Sequence, residues 1–175
     1  FVFKFEPVLA ATGTESVFSK RGLLQIIARC FDPLGFVSPV IMSLKFVFQE
    51  VCKLSSSWDS PLSTTHAGRL KRWLKDVEAV SSISLDRCVL SVARKSLDSI
   101  DLIAFCDASR LGYGAVVYVR SSWGPNTSVK MLISKGRLAP IKEQSIPRLE
   151  LLACLILARL VDMVREVLKT VVVVG

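Results

Sequence analysis

The sequence predicts a mixed fold (α+β or α/β) in which a helical first segment is followed by a β-β-β-α-β unit. Before residue 80, apolar side chains recur every three or four residues, the period of an amphipathic helix. From residue 100 onward, three short runs rich in strand-forming residues precede one long apolar segment and a run of four valines. We place the domain boundary at this change of period, near Ser99, which gives domains 1–99 and 100–175.

Three helices are predicted in the first domain, over residues 19–31, 38–54 and 65–80. Ser19 is a suitable N-cap for the first. Asp32-Pro33-Leu34-Gly35 has Asp, Pro and Gly where a type I turn favours them, so the first two helices form a hairpin. Alternation of Phe with other residues at the start of the chain hints at an edge strand. Residues 81–99 are a connector with strand-like pieces at 83–85 and 88–92.

The second domain is predicted to open with three antiparallel strands near residues 102–106, 115–120 and 129–134, separated by turn-rich stretches such as 121–126. A helix then runs over about residues 147–169, and Pro147 suits its first turn. This helix is apolar nearly all round, which predicts burial on more than one side. The four valines 171–174 are predicted to form a fully buried strand parallel to the first.

Composition indicates a globular protein, because 51% of the 175 residues are hydrophobic and 22% are charged. No window reaches the ~18 apolar residues of a membrane span, and no signal peptide is recognisable. The start lacks Met, and both ends look cut from a longer protein. The net charge of +8 suits nucleic acid, although a generic basic globular protein explains it about as well.

Cysteine usage argues against a zinc site or a disulfide framework. The five cysteines are odd in number, none has CxxC spacing, and His66 is the single histidine. We expect reduced, mostly buried thiols.

Two carboxylates are the candidate metal ligands. Asp107 comes at the end of the first predicted strand, where its alternative role is to initiate a turn by bonding backbone amides near Ser109. Glu150 comes in the first turn of the long helix, among leucines that predict its burial. An unpaired buried carboxylate costs several kcal/mol, and a hard cation shared with Asp107 would compensate that cost.

The third helix also offers candidate contacts to nucleic acid. Opposite its apolar stripe lie Lys71, Arg72, Lys75 and Glu78, of which the three basic residues are the candidates. Such a face is either simply solvated or contacts the phosphate backbone.

The motifs around these residues carry a resemblance. The runs Phe105-Cys106-Asp107-Ala108-Ser109, Gly112-Tyr113-Gly114-Ala115-Val116-Val117-Tyr118, Ser134-Lys135 and Pro147-Arg148-Leu149-Glu150-Leu151-Leu152-Ala153 resemble the first half of a retroelement ribonuclease H domain. Upstream, Ser19-Lys20-Arg21, the run from Ile27 to Val40, Gln49-Glu50 and Trp58-Asp59 resemble the Pao/BEL class of LTR retrotransposon polyproteins. The likeness runs in family order from about Thr14 onward.

The resemblance implies a function. Residues 1–99 would be the end of a reverse transcriptase, its thumb and connection, which hold a template-primer duplex. Residues 100–175 would be the N-terminal part of a ribonuclease H-like domain. Asp107 and Glu150 would bind Mg²⁺ in a two-ion site that activates water and stabilises the leaving oxygen. Ser109 and Arg148, beside these ligands, are candidate contacts to the nucleic acid.

The implied partners are an RNA/DNA hybrid, whose RNA strand is distinguished by its 2′-hydroxyls, and the rest of the Pol polyprotein. No membrane is implied, and the location would be intracellular, in a cytoplasmic virus-like particle or the nucleus. The family places a further essential Asp after its fourth strand, which this sequence lacks. We therefore expect an incomplete metal site and no robust activity from residues 1–175 alone.

Two other functions remain open. The chain could be a catalytically inert, nucleic-acid-binding remnant of a degenerate element. It could also be an aspartic peptidase, but Asp107-Ala108-Ser109 is not the Asp-Thr-Gly or Asp-Ser-Gly that such enzymes use.

Overall fold

The computed structural model describes residues 18–173, with gaps at 55, 81–83, 87, 91–92 and 94–95. The chain divides into two compact units. The first comprises the residues up to Pro33 and Pro39–Arg87, and the second comprises Leu34–Ser38 and the residues from Cys88 onward. Neither unit is therefore one continuous stretch of chain.

Three helices build the first unit: α1 (Lys20–Arg29), α2 (Ser38–Lys53, whose first residue is assigned to the second unit) and α3 (Thr64–Val80). Ser19 caps α1 as predicted, because its Oγ accepts a hydrogen bond of 3.1 Å from the backbone N–H of Gly22. The indole N–H of Trp73 donates to the carbonyl of Val40 over 2.8 Å, which joins α3 to α2. Each helix buries one apolar stripe at helical spacing.

The sheet of the second unit has three antiparallel strands in the order β1-β2-β3 among the residues that the structure describes. They are β1 (Ser99–Ala108), β2 (Gly112–Trp123) and β3 (Asn126–Leu138). A short turn at Gly124, whose φ is +52°, joins β2 to β3. Helix α4 (Ile146–Val173) packs on one face of the sheet. The core between them consists of Ala115, Val117, Ile156, Leu160 and Val164.

The mixed fold with a β-β-β-α order is confirmed, but the predicted final strand is wrong. Val171–Val173 continue helix α4, and Val174 lies outside the described residues. No Gly or Pro stands between Lys169 and these valines to end the helix. A short apolar run does not distinguish strand from helix by itself, so the local continuity of the helix decided the outcome.

The expectation that the long helix is buried on more than one side is also wrong. The side of α4 that faces the sheet is buried, whereas Leu151 is 69% exposed and Val167 is 57% exposed. Across the part of the chain that the structure describes, no helix combines the length and apolarity needed to cross a membrane.

Three further predictions concern the connector, the start of the chain and the cysteines. In the connector, Cys88–Leu90 lie outside any strand, while Ile83, Ser91 and Val92 are not among the described residues. The predicted edge strand at the start of the chain also falls outside them. The expected burial of the thiols is wrong, because Cys88 and Cys154 are exposed and the other three cysteines are half-buried.

A turn from the early part of the chain docks on strand β3 in the second unit. The backbone N–H of Ser134 donates to the carbonyl of Leu34 over 2.9 Å, and its Oγ donates to the carbonyl of Gly35 over 2.6 Å. Gly35 has φ +75°, and a Cβ there would lie 2.2 Å from the carbonyl oxygen of Ser134. Only glycine therefore fits this position without displacing the strand.

Candidate active site at strand β1 and helix α4

Asp107 lies near the C-terminal end of β1, opposite Gly114 of β2. Its side chain is exposed, and its Oδ1 accepts a hydrogen bond of 2.8 Å from the backbone N–H of Ala108. The lack of a Cβ on Gly114 removes a side chain from the position across the ladder.

The turn after Asp107 is closed by Ser109. Its Oγ donates to the carbonyl of Gly112 over 3.1 Å and lies 3.3 Å from the backbone nitrogens of Leu111 and Gly112, from which it accepts. A second bond joins the backbone N–H of Ser109 to the same carbonyl over 2.8 Å. Ser109 therefore has a structural role in the turn that follows Asp107, and its exposed position also leaves it accessible to a ligand.

Glu150 lies in the second turn of α4 and is exposed, so its predicted burial is wrong. The helix buries Leu149 and Ala153 against the sheet, and adjacent residues on a helix point about 100° apart. Glu150 therefore faces away from the core although its neighbours in sequence are apolar. Because the carboxylate of Glu150 is in contact with solvent, it does not need a partner to compensate for burial.

The packing of α4 on β1 places the two carboxylates in adjacent segments. Cys106 Sγ on β1 lies 3.6 Å from Cys154 Sγ on α4. Asp107 directly follows Cys106, and Glu150 precedes Cys154 by about one helical turn. Successive strand residues point to opposite faces, so Asp107 lies on the face of β1 that is turned away from the helix, at the end of the strand.

The donor chemistry fits Mg²⁺, although the set is small. Within the described ranges, no group of three or more His, Cys, Asp or Glu side chains could hold a metal ion. Mg²⁺ is often bound by one or two carboxylates, with water and substrate phosphates completing its shell. A pair of exposed carboxylates is compatible with that mode of binding and not with a closed all-protein cage.

Residues 19–174 match the model of the Pao retrotransposon-like RNaseH-like domain. The chain belongs to this family. No curated protein and no solved structure gives a match to the chain. The predicted relationship to Pao/BEL retrotransposon polyproteins is therefore confirmed at the level of the family.

The Pao domain distributes the candidate nucleic-acid contacts over both units. Arg148 is exposed at the start of α4, in the same unit as the two carboxylates. Lys71, Arg72 and Lys75 are exposed on α3 in the other unit. Lys71 Nζ lies 5.5 Å from the ring centroid of Phe18, so this lysine also has a local cation–π partner.

Sequence reasoning missed one pair in the Pao domain, the thiols of Cys106 and Cys154. A signal was available, because one cysteine adjoins the strand carboxylate and the other follows the helix carboxylate by four residues. Spacing along the chain does not reveal the contact itself, because the two cysteines are 48 residues apart.

Proposed function

We propose that the Pao domain is a Mg²⁺-dependent ribonuclease H that cleaves the RNA strand of RNA/DNA hybrids. The observation that carries the proposal is the match to a ribonuclease H-like family. Asp107 at the end of β1 and Glu150 on α4, the helix that packs on the same sheet, are its two candidate metal ligands. Both carboxylates are accessible to a substrate phosphate, because both are exposed.

Asp107 and Glu150 would hold the ion, and Mg²⁺ supplies activation of water and stabilisation of the leaving oxygen when it is bound. Arg148 would bind a phosphate of the hybrid close to the carboxylates, because guanidinium pairs well with phosphate oxygens. Ser109 shapes the turn that follows Asp107 and thereby fixes the end of the strand.

We further propose that residues 1–99 are the end of a reverse transcriptase, its thumb and connection, and that Lys71, Arg72 and Lys75 contact the phosphates of the duplex. The overall positive charge supports this role. The remainder of a Pol polyprotein would be the natural covalent partner.

Cleavage of a labelled RNA/DNA hybrid tests the nuclease. The chain of residues 1–175, a version extended through the following segment of its polyprotein, and extended variants Asp107→Asn and Glu150→Gln are compared with and without Mg²⁺. We expect cleavage by the unmutated extension and a loss of roughly 100-fold or more in either variant, since metal stabilisation amounts to several kcal/mol. We expect little cleavage by residues 1–175 alone.

Asp101→Asn is the matched control, because Asp101 lies on the same strand and faces Arg120 at 3.8 Å. It should retain cleavage. Failure of a folded, extended protein to cleave any hybrid would reject the nuclease and favour an inert nucleic-acid-binding remnant. Equal loss in Asp101→Asn and Asp107→Asn would show that the strand, and not the carboxylate of Asp107, matters.

Binding at several salt concentrations tests the basic face of α3. Replacing Lys75 by Gln should weaken binding of a duplex regardless of its sequence and lower the slope of log affinity against log salt by about 1. Lys53→Gln, at the exposed end of α2, is the control and should leave the slope unchanged. Equal slopes in both variants would assign Lys75 to a solvated surface.

A further inference from the structure

Two thiols meet where helix α4 packs on strand β1. Cys106 Sγ and Cys154 Sγ are 3.6 Å apart, which is van der Waals contact. Cys106 is half-buried, and Cys154 is exposed. The pair is therefore both preassembled and open to solvent on one side.

The fold holds these side chains in place. Cys106 is on the helix-facing side of β1 with Leu102 and Ala104, which pack against the core of the sheet unit. Cys154 directly follows Ala153, which is fully buried. Both cysteines thus belong to well-packed elements, so their proximity does not depend on a loop.

We propose that Cys106 and Cys154 form a redox-responsive dithiol that closes to an intramolecular disulfide when a small disulfide oxidant such as oxidised glutathione is present. Closure brings the two sulfur atoms from 3.6 Å to bonding distance, about 2.05 Å. Rotation of the two side chains and a small shift between helix and strand supply this change. The bond would tie β1 to α4 directly beside Asp107.

The reaction follows thiol–disulfide exchange. The accessible Cys154, as its thiolate, attacks one sulfur of oxidised glutathione, forms a mixed disulfide and releases one glutathione thiolate. Cys106 then loses its proton to solvent and attacks Cys154 Sγ, which expels the second glutathione thiolate. The protein loses two hydrogen atoms, and one molecule of oxidised glutathione becomes two of reduced glutathione.

The order of the two steps follows from the surroundings of the thiols. Cys154 is exposed, whereas Cys106 is half-buried on the helix-facing side of β1. Oxidised glutathione therefore reaches Cys154 first. Once Cys154 carries the mixed disulfide, the contact between the two side chains makes the second step intramolecular.

The remaining cysteines provide internal controls. Cys30 donates through Sγ to the carbonyl of Ile26 over 3.4 Å, and burial raises its pKa to about 11. Cys88 is exposed and donates to the carbonyl of Leu90 over 2.9 Å. An exposed thiol without this paired arrangement should stop at the mixed disulfide with glutathione.

The test is incubation of the dilute 175-residue chain with oxidised glutathione, followed by alkylation and peptide mapping by mass spectrometry without reduction. We expect one linked peptide pair containing Cys106 and Cys154, 2 Da lighter than the reduced pair. Glutathione, an addition of about 305 Da, should appear on Cys88. In Cys106→Ser, Cys154 should instead carry glutathione, because the second step is lost.

A second measurement compares thermal unfolding of the oxidised chain with that of the reduced chain and of oxidised Cys106→Ser. Cross-linking residues 48 apart should raise the Tm of the sheet unit by at least a few degrees. Stable glutathionylation of both Cys106 and Cys154 in the wild-type chain, linkage of either to another cysteine, or absence of the linked pair while Cys88 is modified would each overturn the proposal.

Discussion

The first unit, built from helices α1 to α3 and here called the helical unit, and the second unit, which holds the sheet and α4 and is called the sheet unit, differ in how their apolar surface is covered. In the helical unit, α1, α2 and α3 each bury one stripe, and ion pairs such as Arg21 with Asp59 and Arg69 with Glu50 decorate the outside. In the sheet unit, α4 is apolar on two sides but only one side packs on the sheet. Among the described residues, β1 is an edge strand, and it carries Phe105, which is 59% exposed. The apolar composition of a helix or strand therefore does not determine how many of its sides are buried by neighbouring elements.

The largest expected effects on the free energy of unfolding come from replacing buried leucines by alanine, with an exposed leucine as the comparison. Leu70 on α3 is 0% exposed and Leu149 on α4 is 1% exposed, whereas Leu151 is 69% exposed. Leu70→Ala and Leu149→Ala should each lower the free energy of unfolding by about 3 kcal/mol, and Leu151→Ala should change it by less than about 0.5 kcal/mol. Urea denaturation followed by circular dichroism measures all three. A large loss in Leu151→Ala would mean that the outer side of α4 is covered in solution, and the contrast between the units would disappear.

Gly35→Ala should cost about as much as the buried leucine substitutions, about 3 kcal/mol, because it combines a left-handed φ with a clash against the backbone of β3. Gly124 also has a positive φ but has open space around it, so Gly124→Ala should cost only about 1 kcal/mol. Gly68 lies within α3 with nothing near its missing side chain, and Gly68→Ala should stabilise the protein by up to about 1 kcal/mol. The same denaturation curves rank the three. If Gly35→Ala cost no more than Gly124→Ala, the docked turn would not be tightly held.

The N-cap of α1 tests how much a single hydrogen bond at a helix start contributes to the stability of the helical unit. Ser19→Ala removes the acceptor for the N–H of Gly22 and should lower the free energy of unfolding by about 1 kcal/mol. Ser57→Ala changes an exposed serine and serves as the control. Equal stabilities of the two variants would show that water replaces the cap without loss.

The smallest effect concerns the exposed pair of Arg21 and Asp59. The hydrogen bond from Arg21, 2.7 Å long, lowers the pKa of Asp59. A lowered carboxyl pKa stabilises the folded state above the ordinary value of about 3.9, and this contribution is lost as the pH falls through the folded-state pKa. NMR titration of the Asp59 carboxyl should give a pKa that returns toward the ordinary value in Arg21→Gln. An unchanged pKa in that variant would mean that the pair is not formed in solution.

The spacing of apolar residues predicted the helices and the strand order, because this spacing follows the local conformation of the backbone. The strands proved longer than predicted at their polar ends. Residues 121–123, predicted to belong to a turn, continue β2, where Ser121 pairs with Ser128 and is 1% exposed. Polar residues can extend a ladder when the partner strand supplies their backbone hydrogen bonds, and a single strand does not reveal its partner.

The motifs in the sequence selected the candidate site residues, but they did not reveal the environment of those residues. Asp107 and Glu150 were recognisable from the motifs around them, and their contribution to metal binding stays a prediction. The apolar neighbours of Glu150 do not reveal its exposure, because exposure depends on the angular position of the side chain on the helix. The contact of Cys106 with Cys154 depends on how α4 lies across β1, which the period of either element does not determine.

The docking of Leu34–Gly35 on β3 has a consequence for dissecting the protein into parts. A single protease cut in the connector near Arg87 would not separate the two units into complete parts. The turn at Leu34–Gly35 that completes the sheet unit would remain in the N-terminal fragment. A fragment beginning at residue 88 or 100 would leave Ser134 without its two acceptors in that turn. Recombinant halves should therefore fold better when mixed, as complementing fragments, than when expressed apart.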